Sequence, residues 1–177
     1  MLGMVDFDGP DQGAYGRVTD PGRYQAVVDA ARGMIADLVE TYQVEVSPGN
    51  RSFDFPDWTA SSEEVALLRP SRGAPLTFMF TDFPGVVVRV GDWGVEAFPV
   101  CGCDACDESP GDVADRLGHL VAAAVGGRYE EELTKRTLTY SYGGRFGSLG
   151  GERRLDRGEW KRHGGPAVHR WPAWPKL

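Results

Sequence analysis

Apolar residues recur along this chain with a period that changes twice, from that of a helix to that of a strand and back, and this succession limits the folds open to it. Tyr24, Val27, Val28, Ala31, Ile35, Leu38, Val39 and Tyr42 share one helical face, while Asp29, Arg32, Asp37 and Glu40 fall elsewhere. Asp20 offers a cap and Pro21 a first-turn residue that needs no amide donor, so an amphipathic helix is predicted over 21–42. Period two follows, with Val65, Leu67, Leu76, Phe78 and Phe80 alternating against Thr77, Met79 and Thr81. In Phe83-Pro84-Gly85-Val86 the proline presets one turn residue and the glycine accepts a positive φ at the next, returning the chain into Val86, Val88 and Val90. Gly91-Asp92 then forms a two-residue hairpin into Trp93, Val95 and Ala97, which completes an antiparallel meander over 64–98.

Helical spacing returns after Ser109-Pro110-Gly111-Asp112, a start signal with a serine cap and a first-turn proline. Val113, Leu117, Leu120, Val121 and Ala124 make the buried stripe, and Gly126-Gly127 ends it. Tyr129 to Leu133 can add a helical turn, and Thr137 to Tyr142 alternates as a strand rich in Thr and Tyr. The glycines of 143–151 predict a mobile loop without the lysine or spacing of a phosphate-binding loop. His169-Arg170-Trp171-Pro172-Ala173-Trp174-Pro175 is barred from helix by its prolines and is expected to run extended. Helix, meander, helix predict an α+β fold: an antiparallel β-meander covered on one face by two amphipathic helices, with an irregular Gly/Trp-rich C-terminal segment.

A chain of 177 residues is long enough to bury a full core as one domain over 1–177. Residues 1–13 are acidic and Gly/Pro-rich, expected to lack order, and carry no basic, apolar leader. No apolar run approaches the ~20 residues of a membrane-spanning helix. The expectation is a cytoplasmic protein without a membrane partner. The net charge of −7 conceals a split: residues 135–177 hold ten Lys/Arg against Glu152, Asp156 and Glu159, or +7, and the remainder is −14. We expect 143–177 to be a basic segment docked on its own acidic body. Nucleic acid is a disfavoured partner, because that body repels phosphates.

The only cysteines are Cys101, Cys103 and Cys106, so thiol chemistry is confined to Cys101-Gly102-Cys103-Asp104-Ala105-Cys106. Three thiolates this close can converge on one tetrahedral ion, for which zinc is the natural candidate in a reducing compartment. A fourth ligand is needed. Asp104 and Asp107 lie inside the knuckle, and His163 or His169 can return from the C-terminal segment. His163 is preferred, since that link would also pin the glycine-rich end. His119 falls opposite the buried stripe and roughly 15 Å along its helix from the cap. The rival readings are thiols that simply pack as small hydrophobes, and thiols in redox or iron–sulfur use beside a helix N-terminus.

Other constellations are weaker. GxSxG, HExxH and dinucleotide fingerprints are missing from the sequence. Asp82, Glu96, Asp104, Asp107, Glu108 and Asp112 can offer paired carboxylates for hydrolysis. Phe53, Phe55 and Trp58 suggest a flap over the core, and Trp160, Trp171 and Trp174 interleaved with Arg162 and Arg170 resemble a stacking-plus-phosphate surface. The preferred reading is a non-enzymatic binding or interaction protein with a structural zinc and an unidentified protein partner. The alternatives are a thiol-redox or hydrolytic enzyme and a nucleic-acid binder.

Three stretches, Ala14-Tyr15-Gly16-Arg17-Val18-Thr19-Asp20-Pro21, Phe80-Thr81-Asp82-Phe83-Pro84-Gly85-Val86 and Cys101-Gly102-Cys103-Asp104-Ala105-Cys106-Asp107-Glu108, together resemble an actinobacterial family of uncharacterised proteins, a domain of unknown function. The resemblance runs from about Tyr15 through the tryptophan-rich end. It implies coherence as one domain and transfers no functional residue.

Overall fold

The computed structural model describes residues 12–54, 59–62, 64–144 and 147–177. Among the described residues two α-helices, two larger antiparallel sheets and one two-stranded sheet form an α+β architecture. Helix α1 spans Gln25–Thr41 and α2 spans Pro110–Val125. The first sheet contains β1 (Val44–Pro48), β4 (Val65–Pro70), β5 (Leu76–Thr81), β6 (Gly85–Val90) and β7 (Gly94–Phe98), in the order β1-β4-β5-β6-β7. Between β1 and β4 the chain makes a small hairpin of β2 (Ser52–Asp54) and β3 (Thr59–Ser61). The Phe55 and Trp58 of the expected flap, and the side chain of Phe53, lie outside the described residues, as does nearly all of 1–13.

One face of the first sheet presents Leu68, Leu76, Phe78, Phe80, Val86, Val88, Val90 and Phe98 to the two helices, which answer with Val27, Val28, Ala31 and Leu38 from α1 and Val113, Leu117, Leu120 and Val121 from α2. The period-two and period-3.6 patterns are thus two halves of one core. The opposite face is not bare: Met79 and Val87 are buried there beside Val65, Val95 and Ala97. Among the described residues no helix is long and apolar enough to cross a membrane.

Several local expectations differ from the structure. The first turn of the predicted helix is a tighter 3₁₀ turn, Pro21–Tyr24, and Asp20 makes no side-chain cap. That turn is drawn instead onto the loop before α2, where Arg23 meets Asp107 and the Tyr24 hydroxyl donates to the Glu108 carbonyl at 3.1 Å. Gly85 is not in the left-handed region. It begins β6, where a Cβ would sit 2.9 Å from the Phe98 carbonyl oxygen, so close strand approach is what requires glycine. The β6–β7 connection has three residues, since Val90 pairs with Gly94, and Gly91 takes φ +64°.

The larger difference is a second sheet, in the order β10-β9-β8-β11. Tyr129–Leu133, read as a helical turn, is strand β8; Thr137–Gly144 is β9. Gly147–Arg154, which falls within the expected mobile loop and irregular segment, is β10, and Ala167–Arg170 is β11. Gly150 and Gly151 face Ser141 and Tyr140 across β9. A Cβ on Gly151 would lie 2.7 Å from the Tyr140 hydroxyl, so these glycines admit the tyrosine and mark contact. Tyr129 and Tyr142 carry this sheet into the main core.

The last residues run extended over the body. The Trp174 indole is buried, Trp174 N–H donates to the Val125 carbonyl and Gln43 N–H to that of Pro175, each at 2.9 Å, and Leu177 N–H reaches Thr41. Arg170 pairs with Glu130, and Trp171 is half-buried with its indole N–H on Glu131.

Candidate metal centre

The knuckle follows β7 and precedes α2, and its shape is set by side chains that fold back on it. The Asp104 carboxylate accepts from Arg17 Nε at 3.0 Å, Thr19 N–H at 2.9 Å and Thr19 Oγ1 at 3.0 Å, while Asp104 N–H donates to the Arg17 carbonyl at 2.8 Å. Glu108 accepts from Val100 N–H at 3.1 Å and Arg116 at 2.9 Å. Asp107 has φ 44°, pairs with Arg23, and donates its N–H to the Cys103 carbonyl at 3.3 Å. A Cβ on Gly102 would strike the Phe83 ring. The segment Arg17–Thr19, the turn at Arg23, the β5–β6 turn and α2 therefore all brace one loop.

Within this brace the sulfurs of Cys101, Cys103 and Cys106 lie within 4.8 Å of one another, and Cys101 and Cys103 are 3.3 Å apart. Thiolates around one tetrahedral zinc, each about 2.3 Å from it, are separated by about 3.8 Å, so the three thiols can hold a metal ion with small adjustments. Cys103 is buried, Cys101 half-buried and Cys106 exposed. A hydrogen bond from the Cys101 thiol, aided by the Cys106 amide, pulls Cys103 down to about 6, whereas Cys101 and Cys103 push Cys106 up to about 12. The Cys103 thiolate is thus the one its neighbours stabilise, at the expense of ionising Cys106. A site with one anion already favoured loses fewer protons to bind a cation.

His163 is not brought to the thiols. It ends the 3₁₀ turn Glu159–His163, with Nε2 3.9 Å from Glu159, and lines a groove of about 670 Å³ with Trp93, Tyr140 and Arg153. His119 is exposed on α2. The expected acidic cluster is also dispersed into separate partnerships: Asp104 with Arg17, Asp107 with Arg23, Glu108 with Arg116, and Glu96 with the Tyr142 hydroxyl at 3.1 Å. Burial holds Glu96 above the usual carboxylate range.

A second group, missed in the sequence, joins Asp92, Glu131 and His169. Glu131 is fully buried, and its carboxylate accepts from Asp92 N–H at 2.8 Å, Trp93 N–H at 2.9 Å, Gly94 N–H at 3.3 Å and Trp171 Nε1 at 2.9 Å. His169 stacks on Trp93 with ring centroids 4.5 Å apart and places Nδ1 2.7 Å from Asp92. With four donors on its two oxygens Glu131 has its acceptor sites filled, which makes it a joint between the β6–β7 turn, β8 and the C-terminal segment. Its place in Glu130-Glu131-Glu132 disguised it. The usable signal was Tyr129, Glu131 and Leu133 falling on one face.

The Asp104 tie carries a pH prediction. The Thr19 amide first, and then Arg17, hold this carboxyl below its ordinary value. A depressed folded-state value stabilises the folded arrangement above the unfolded pKa of about 3.9, and that contribution disappears as pH falls through the lowered value. Acid titration is therefore expected to expose the Thr19 amide to hydrogen exchange before the sheet amides open. Protection of Thr19 that outlasts the sheet would contradict this.

No curated protein and no solved structure matches the chain. A family model described as a family of unknown function, DUF6226, matches residues 5–177, and the chain belongs to that family.

Proposed function

We propose that this protein is a non-enzymatic binding or interaction domain whose knuckle holds a zinc ion through Cys101, Cys103 and Cys106. The observation that carries the proposal is the convergence of the three sulfurs within 4.8 Å inside a loop braced from four directions. Soft thiolates suit zinc, and an ion there would join β7, α2 and the Arg17–Thr19 segment. Four of the six carboxylates of the expected cluster, Glu96, Asp104, Asp107 and Glu108, are engaged with arginines or a tyrosine, which favours binding over hydrolysis.

A thiol-redox reading has one observation on its side, the Cys103 thiolate favoured near neutral pH. Access counts against it. The readily ionised thiol is the buried one, and the exposed thiol, Cys106, is the one pushed up to about 12.

Metal analysis of the chain, purified reduced and without a histidine tag, is expected to give about one zinc per molecule. Cys103→Ser should lose it, and the wild-type thiols should resist alkylation until a chelator is added. A folded, zinc-free sample whose thiols alkylate equally with and without chelator would end the proposal.

A further inference from the structure

We infer that the fourth coordination position of the knuckle's zinc is filled from outside the chain, by an exchangeable neutral nitrogen donor of the imidazole class. This rests on the zinc reading above and names where a partner attaches. The chain has three cysteines and three histidines, and all six lie among the described residues. The cysteines are the three ligands already counted. None of the histidines shares their cluster: His119 is exposed on α2, His163 sits beside Glu159, and His169 is stacked on Trp93. The sequence thus holds no further sulfur or nitrogen ligand of the kinds that zinc prefers beside thiolates.

Among the described residues the neighbouring carboxylates each already hold a partner within the chain. Both oxygens of Asp104 are taken by Arg17 and Thr19, and both of Glu108 by Val100 N–H and Arg116. Asp107 turns toward Arg23 with its side chain 79% exposed. Among the described residues the knuckle is open on the side of Cys106, which is exposed, and of Val100, which is 72% exposed. Three protein ligands with a solvent-facing fourth position is the arrangement of zinc sites that exchange ligands. Among neutral donors imidazole nitrogen suits zinc better than water oxygen, and charge disfavours a further thiolate. Zinc with three thiolates carries −1; a neutral imidazole leaves that unchanged, whereas a fourth thiolate doubles it within a chain of net charge −7.

The test uses the full, untagged chain loaded with cobalt(II), with imidazole and 2-mercaptoethanol as probes. Sulfur-to-cobalt charge-transfer absorption, lost in Cys103→Ser, reports thiolate ligation. The d–d bands report the fourth ligand. The expected result is a saturable shift of the d–d bands with one imidazole per cobalt, at lower concentration than 2-mercaptoethanol requires. Charge-transfer absorption with d–d bands that neither probe moves overturns this inference while leaving the thiolate centre standing. A thiol that acts at lower concentration than imidazole overturns the nitrogen assignment. Failure to develop charge-transfer absorption removes the zinc reading, and this inference with it.

Discussion

Glu131→Ala is expected to destabilise the fold by about 3–5 kcal/mol. The carboxylate lies at 0% exposure and is the acceptor for the amides of Asp92, Trp93 and Gly94 and for the indole of Trp171. A buried N–H left without an acceptor costs on the order of 1–3 kcal/mol, and truncation also leaves a void where the side chain packed. Local relaxation and entry of water keep the total below a simple addition of four donors. Glu131→Gln should fall between, since its amide retains one acceptor oxygen but turns an NH₂ group toward N–H donors. Burial holds this carboxyl above its ordinary value, against the downward pull of those N–H groups. Glu130→Ala serves as the control: that residue is half-exposed and pairs at the surface with Arg170, an interaction worth about 0–1 kcal/mol. Denaturant unfolding of the three variants decides it. Equal midpoints for Glu131→Ala and Glu130→Ala would show that Glu131 joins nothing.

Trp174→Ala should cost a similar amount, about 3–5 kcal/mol. This indole is 4% exposed, meets Tyr42 edge-on at 5.9 Å, and donates its N–H to the Ala74 carbonyl at 2.9 Å. The backbone beneath is shaped to receive it: a Cβ on Gly73 would lie 2.5 Å from the indole, and one on Gly127 2.5 Å from the Ala173 nitrogen, with both glycines at positive φ. Removing the ring opens a cavity and strands a buried carbonyl. The unfolding midpoint should drop accordingly, and hydrogen exchange at Gln43 and Leu177, whose amides tie the same segment down, should accelerate. A loss under about 1 kcal/mol would mean that the C-terminal segment rides on the body without supporting it.

These two side chains also show where sequence reasoning stops. The helices and the meander were legible because their faces are uniformly apolar: Val27, Ala31 and Leu38, or Phe78, Val88 and Phe98, need no knowledge of a partner to be placed inward. Strand β8 was not, because the middle residue of its buried face is a glutamate, and only the distant amides of 92–94 make that burial tolerable. Strand β10 was hidden in the same way, its glycines being a demand of Tyr140 on the neighbouring strand. In the knuckle, contiguity alone announced the thiols. Their supports could not be read, since Arg17, Thr19 and Arg23 stand more than eighty residues away in the chain. The expectation that His163 would close the site had only chain connectivity behind it, and the second sheet places that residue beside Glu159.

The claim on which the functional reading depends is that an ion, and not packing alone, holds the three sulfurs at the β7–α2 corner. Zinc-edge X-ray absorption on the reduced, untagged chain addresses it directly. The account predicts a shell of three sulfurs at about 2.3 Å and one lighter donor. Folded protein without zinc, or zinc surrounded by oxygen and nitrogen alone, would contradict it.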